Sequence, residues 1–177
     1  HMPEQNHADR DLANFRKQIV QGRQLSRRLY GMYARELFLA GKAQDFLEAE
    51  DYFRREVSSP DRSGEEITEG CCVAARAARL RGATVLFFKY TSKVIAGDGC
   101  SEICCELGAF YEEAGDFEEA AVWYYNAAYE TQPVLALKSS VEEPLQGLIR
   151  CYEQLGLSAQ ARSYAEELKH RQNDKNR

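Results

Sequence analysis

Histidine is missing from the whole middle of this chain. In 177 residues the three histidines are His1, His7 and His170. That removes the commonest general base and the commonest zinc ligand from any interior site. There are only four prolines and 12 glycines, so little interrupts a helix. No apolar run approaches the roughly 18 residues of a membrane span. The opening "HMPEQNHADRD" contains no apolar stretch of the signal-peptide kind. No segment alternates apolar and polar residues for long, so strands are not expected. Neither a Gly-x-Ser-x-Gly elbow nor a phosphate-cradling glycine loop occurs. The formal net charge of -5 gives no overall pull toward nucleic acid or an anionic membrane.

What the chain does contain is helix-forming sequence. The periodicity predicts helices at about 9–21, 24–40, 44–57, 65–81, 83–95, 101–114, 117–131, 141–155 and 159–171. Capping boxes are expected where Ser63 precedes Glu66, Asp116 precedes Glu119 and Ser140 precedes Glu143. Residues 1–8 read as a lead beginning with a cloning remnant at His1-Met2. One domain is expected over 9–171, followed by a tail at 172–177.

The stretch "CCELGAFYEEAGDFEEAAVWYYNAA" (Cys104 to Ala128) points to a repeat. Leu107 and Gly108 are followed by Tyr111, then by Gly115, Asp116, Ala120, Tyr124 and Ala127. Small residues would let two helices approach closely, Leu107, Tyr111 and Tyr124 would fill the space between them, and Gly115 would turn the corner. Corner glycines at Gly41, Gly82, Gly115 and Gly156 mark four helical hairpins, at about 24–57, 65–96, 101–131 and 141–171. The pattern resembles the tetratricopeptide (TPR) repeat. It implies an all-α, TPR-like α-α superhelix, or solenoid, of about four hairpins plus an N-terminal helix.

A narrower resemblance is carried by "GRQLSRRLYGMYARELFLAGKAQDFLEAEDYFRREV" (Gly22 to Val57) and "SEICCELGAFYEEAGDFEEAAVWYYNAA" (Ser101 to Ala128). Both are similar to the helical repeat region that follows the catalytic domain in bacterial family 2 glycosyltransferases. The matching residues are Tyr33, Ala34, Arg35, Glu36 and Leu37, then Glu102, Ile103, Cys104, Cys105, Glu106, Leu107 and Gly108. The resemblance implies an accessory region that positions an acceptor or partner, and it carries over no catalytic residue. The "DRD" at Asp9 to Asp11 opens a helical segment with no strand before it, unlike an Asp-x-Asp metal motif on a sheet.

The six cysteines include the adjacent pairs Cys71-Cys72 and Cys104-Cys105. Equivalent positions in neighbouring hairpins lie a helix-packing distance apart, about 8–10 Å, whereas a disulfide needs Cα atoms within about 7 Å. We therefore read the cysteines as small buried hydrophobes, one of each pair inward and one toward a groove, and expect no cofactor and no metal. A reducing, cytoplasmic setting follows. In the TPR register the first helix of each hairpin faces the concave side. Groove candidates are then Arg28, Arg35, Phe38, Cys72, Arg76, Arg79, Cys105, Ala109, Glu112, Gln146, Arg150 and Glu153.

Charge is segregated, with basic residues crowding the first helices and Glu102, Glu106, Glu112, Glu113, Asp116, Glu118 and Glu119 in the third hairpin. The acidic cluster from Glu112 to Glu119 reads as solvated surface. The leading expectation is a non-catalytic scaffold that binds a protein or peptide partner, including an acidic segment, or that self-associates into a homo-oligomer. Neither nucleic acid nor membrane is expected as a partner. Leu12, Phe15 and Ile19 mark a less well covered N-terminal end, and the polar last helix reads as a cap. The apolar loop "TQPVLALKSS" (Thr131 to Ser140) is expected to cover the seam between the last two hairpins.

Overall fold

The computed structural model describes residues 3–177, among which there are nine α-helices and no strand. In chain order the helices are α1 Pro3–Val20, α2 Arg27–Ala40, α3 Ala43–Glu56, α4 Gly64–Leu80, α5 Thr84–Ile95, α6 Ser101–Glu113, α7 Phe117–Tyr125, α8 Glu142–Gln154 and α9 Ser158–Lys175. A π-helical turn, Asn126–Glu130, prolongs α7, and a 3-10 turn, Leu137–Ser140, precedes α8. The chain divides into two compact units, the first ending at Val94 and the second being Ile95–Arg177. Helix α1 occupies the expected lead from Pro3 onward, because proline is well suited to a first helical position, and it buries Ala8. Helix α9 runs through the expected tail to Lys175. The remnant His1-Met2 lies outside the described residues.

Helix boundaries follow from local chemistry. Ser63 and Glu66 form the reciprocal capping box at α4, each side chain accepting the other's backbone N–H at 3.2 Å. Asp116 accepts the Glu119 N–H at 3.1 Å and starts α7. The third expected box does not form. Ser140 ends the 3-10 turn and donates to the Leu137 carbonyl at 3.0 Å, leaving α8 without a side-chain cap. Gly115 and Gly156 adopt φ of 79° and 74° after α6 and α8, conformations that a side chain would strain. Gly41 turns its corner differently, with φ -70°. A Cβ there would come within 2.5 Å of the Leu37 carbonyl oxygen that its own N–H binds.

In the first unit α1 lies against α2 and α3, and α4 lies against both α2 and α3. Aromatic residues fill the spaces. Tyr33 of α2 stacks on Phe15 of α1 at 4.9 Å and meets Phe53 of α3 at 5.2 Å. Leu12 and Phe15 are therefore core residues here, and so not an open contact face. Helix α4 presents Ala74, Ala75, Ala77 and Ala78, all buried, which let its neighbours come close. Tyr30 of α2 reaches across to Gly70 and donates to the Glu66 carbonyl at 2.8 Å. Full burial of each such large apolar side chain stabilises the fold by about 1.5–3 kcal/mol relative to exposure.

Polar keys close this unit. Arg62 is buried and gives hydrogen bonds to Glu56, Glu66, the Leu25 carbonyl and the Tyr52 hydroxyl, at 2.7 to 3.1 Å. Arg81, just after α4, donates three bonds to the buried Glu50 carboxylate of α3. Arg16 of α1 pairs with Glu48 of α3.

In the second unit α6 pairs with α7 and α8 with α9, while α8 also lies against α6 and α7. The Tyr124 ring is the wedge among three helices. A Cβ on Gly108 of α6 would sit 2.7 Å from one ring edge, and a Cβ on Gly147 of α8 would sit 2.6 Å from the other. Only glycine permits this approach. The loop after the π turn is pinned from beneath by Glu102, a buried carboxylate. It accepts the backbone N–H groups of Val134, Leu135 and Ala136 at 3.0, 2.8 and 2.9 Å. Leu135 and Ala136 are buried, and the 3-10 turn contacts α6 and α8, so this loop fills the seam between the two hairpins.

Candidate functional site

The groove candidates fall on the first helices of the hairpins, which lie side by side within each unit: α2 with α4, and α6 with α8. In the first unit Arg28 and Arg35 are exposed on α2, while Arg76 and Arg79 are half-buried on α4. Arg35 and Glu69 of α4 meet over Gly31, where a Cβ would be 3.3 Å from the guanidinium and 3.1 Å from the carboxylate. One Glu69 carboxylate oxygen is buried without a hydrogen-bond partner. Burial raises the Glu69 pKa, opposed by the Arg35 charge.

Phe38 is not a groove residue. It is 1% exposed and packs edge-on against Phe46 at 5.2 Å. The guanidinium of Arg76 lies over both rings, at 4.3 and 4.9 Å from their centroids. The sequence register thus identifies two neighbours correctly but makes both of them lining, when one is the lid of the other. Cys72 and Cys105 are likewise buried and face no groove. Cys105 donates its thiol proton to the Ser139 carbonyl at 3.1 Å.

In the second unit the α6 and α8 candidates are joined by an ion pair. Arg150 donates to both carboxylate oxygens of Glu112, at 2.8 and 3.0 Å, and the Tyr124 hydroxyl donates to the same carboxylate at 2.7 Å. Burial alone would raise the Glu112 pKa, but the bonds from Arg150 and Tyr124 hold it below the usual carboxylate range. Glu112 is therefore a cross-brace and not part of a free acidic surface. Glu102 and Glu106 are buried too. Ala109 is half-buried, whereas Gln146 and Glu153 are exposed on α8.

A feature not foreseen in the sequence lies along α7 and the end of α8. Glu118, Ala121, Val122, Tyr125 and Asn126 form one stripe along α7 and into the π turn. With Tyr152, Leu155 and Leu157 they line a cleft of about 550 Å³. The signal was present: besides the core stripe at Ala120, Tyr124 and Ala127, α7 carries a second apolar stripe at Ala121, Val122 and Tyr125, with helical spacing. Trp123, between them, is half-buried against Cys104, Cys105 and Ala127. A smaller cleft of about 370 Å³ runs between α1 and α2, with Asp11 and Glu36 on its walls beside Phe15, Leu29 and Met32.

All six cysteines are free and buried, and burial pushes Cys104 and Cys151 up to about 12. Among the described residues no group of three or more His, Cys, Asp or Glu could hold a metal ion. No helix among them is long and apolar enough to cross a membrane. The class these observations define is an all-helical protein of two compact units. No family model, no curated protein and no solved structure matches the chain.

Proposed function

We propose that this chain is a non-catalytic, TPR-like helical scaffold that binds a protein or peptide segment on the face formed by the first helices of its hairpins. One observation carries the reading. In each unit the later hairpin's first helix lies against both helices of the hairpin before it, α4 on α2 and α3, and α8 on α6 and α7. That placement is what a stacked-hairpin repeat needs, and within each unit two first helices lie next to each other.

The face in the first unit favours an acidic occupant. It carries exposed Arg28 and Arg35, and the sequence through Val94 holds 16 basic against 13 acidic residues, a net +3. Rim arginines of this kind steer and orient a partner more than they hold it. The test is to pan a random 12-residue peptide library against the full chain. Enrichment of acidic peptides, with binding weakened about tenfold by the charge reversal Arg28→Glu/Arg35→Glu, is the expected result. Acidic peptides indifferent to that double variant, or none at all, would remove this reading of the face.

A further inference from the structure

The cleft over α7 gathers side chains that a soluble surface normally scatters. Val122 is 54% exposed, Tyr125 42% and Leu157 41%, and all three line the same depression. The π-helical turn starting at Asn126 widens the backbone at the cleft's edge; such turns recur at functional positions. Tyr125 packs on Tyr129 at 4.7 Å, and Tyr129 on Tyr164 at 6.5 Å. This aromatic row already holds a cation at its middle ring, where the Arg171 guanidinium lies 5.0 Å from the Tyr129 centroid. Exposed Glu118 supplies a carboxylate at the opposite end of the stripe. From Ile95 onward the sequence holds 7 basic against 15 acidic residues, a net -8.

We propose that this cleft docks a basic peptide segment whose aliphatic side chain seats on Val122, Leu155 and Leu157, while one Lys or Arg lies against the Tyr125 ring and another meets the Glu118 carboxylate. The apolar floor supplies the anchor, and the aromatic face and the carboxylate select positive charge. An acidic segment is repelled by the charge of the whole unit. The inference uses a different surface from the α2 and α4 face and stands whether or not that face binds.

The experiment uses the full chain and the same random 12-residue library. Recovered basic peptides carrying an aliphatic residue should bind Val122→Glu about tenfold more weakly, and Glu118→Lys by about three- to tenfold. Both positions are exposed, so an unchanged thermal midpoint verifies folding. Arg28→Glu/Arg35→Glu should leave these peptides unaffected, which separates failure here from failure of the other face. Raising salt should weaken the basic peptides. The proposal is overturned if no basic peptide is enriched, or if enriched ones bind Val122→Glu normally. It is also overturned if light scattering shows self-association that Val122→Glu abolishes, since the occupant would then be a second copy of the chain.

Discussion

The two units close their helix packing through different keys. Through Val94, a buried arginine does the joining: Arg62 collects two carboxylates, a carbonyl and a phenol. From Ile95 onward, a buried carboxylate does it, with Glu102 collecting three backbone N–H groups. Both units also seat a tyrosine against a glycine-bearing helix, Tyr30 at Gly70 and Tyr124 between Gly108 and Gly147. The close approach is a shared solution, while the polar closure is particular to each unit. A buried ion must be fully satisfied wherever it is used, and each unit satisfies one of opposite sign.

That contrast can be broken most sharply at Arg62. Arg62→Ala leaves Glu56 and Glu66 without their partner in a buried setting and should cost about 3–5 kcal/mol in urea unfolding. A loss below about 1 kcal/mol would mean that the network is incidental. Glu102→Gln is the counterpart. It keeps one acceptor oxygen but turns an amide N–H toward a backbone N–H, which should cost about 1–3 kcal/mol. Amide exchange at Val134 to Ala136 should accelerate, and unchanged exchange there would show that the loop is held by something else.

The smallest effect sharpens the comparison by pH. The Arg150 pair with Glu112 is half-exposed, so Arg150→Met should cost only about 0.5–1 kcal/mol at neutral pH. The Glu112 pKa is lowered in the folded state, so its contribution is present above the usual carboxylate range. It is lost as pH falls through the lowered folded value. The difference between wild type and variant should shrink toward zero on acidification below about pH 4. A difference that persists unchanged at pH 3 would mean that Arg150 acts through packing alone.

Much of the fold was legible along the chain. The helices of both units, the caps at Ser63 and Asp116, the corner glycines Gly115 and Gly156, and the core role of Tyr124 all follow from local spacing. What escaped was contact across helices. The register places Phe38 and Arg76 on the same face, but nothing in either helix shows that the guanidinium covers the ring. The acidic cluster from Glu112 to Glu119 reads as solvated surface, and nothing along the chain sets Glu102 and Glu106 apart from it. Yet Glu102 and Glu106 are buried and Glu112 is paired, because the loop after α7 and helix α8 fold back onto that helix. Gly147 could not be assigned a purpose until the other side of the Tyr124 ring was seen. The α7 cleft was missed because a second apolar stripe reads along the chain as more core.

Periodicity, caps and glycine corners are short-range, so sequence alone determined that this protein is helical, where most helices begin and end, and which small residues permit close packing. Long-range placement was decided only in three dimensions: which carboxylates are buried, which arginines are spent on partners, and which apolar stripe stays open to solvent. A side chain's charge and shape are written in the sequence, but its desolvation depends on helices brought together from distant parts of the chain, as Glu102 is covered by the loop at Val134 to Ala136.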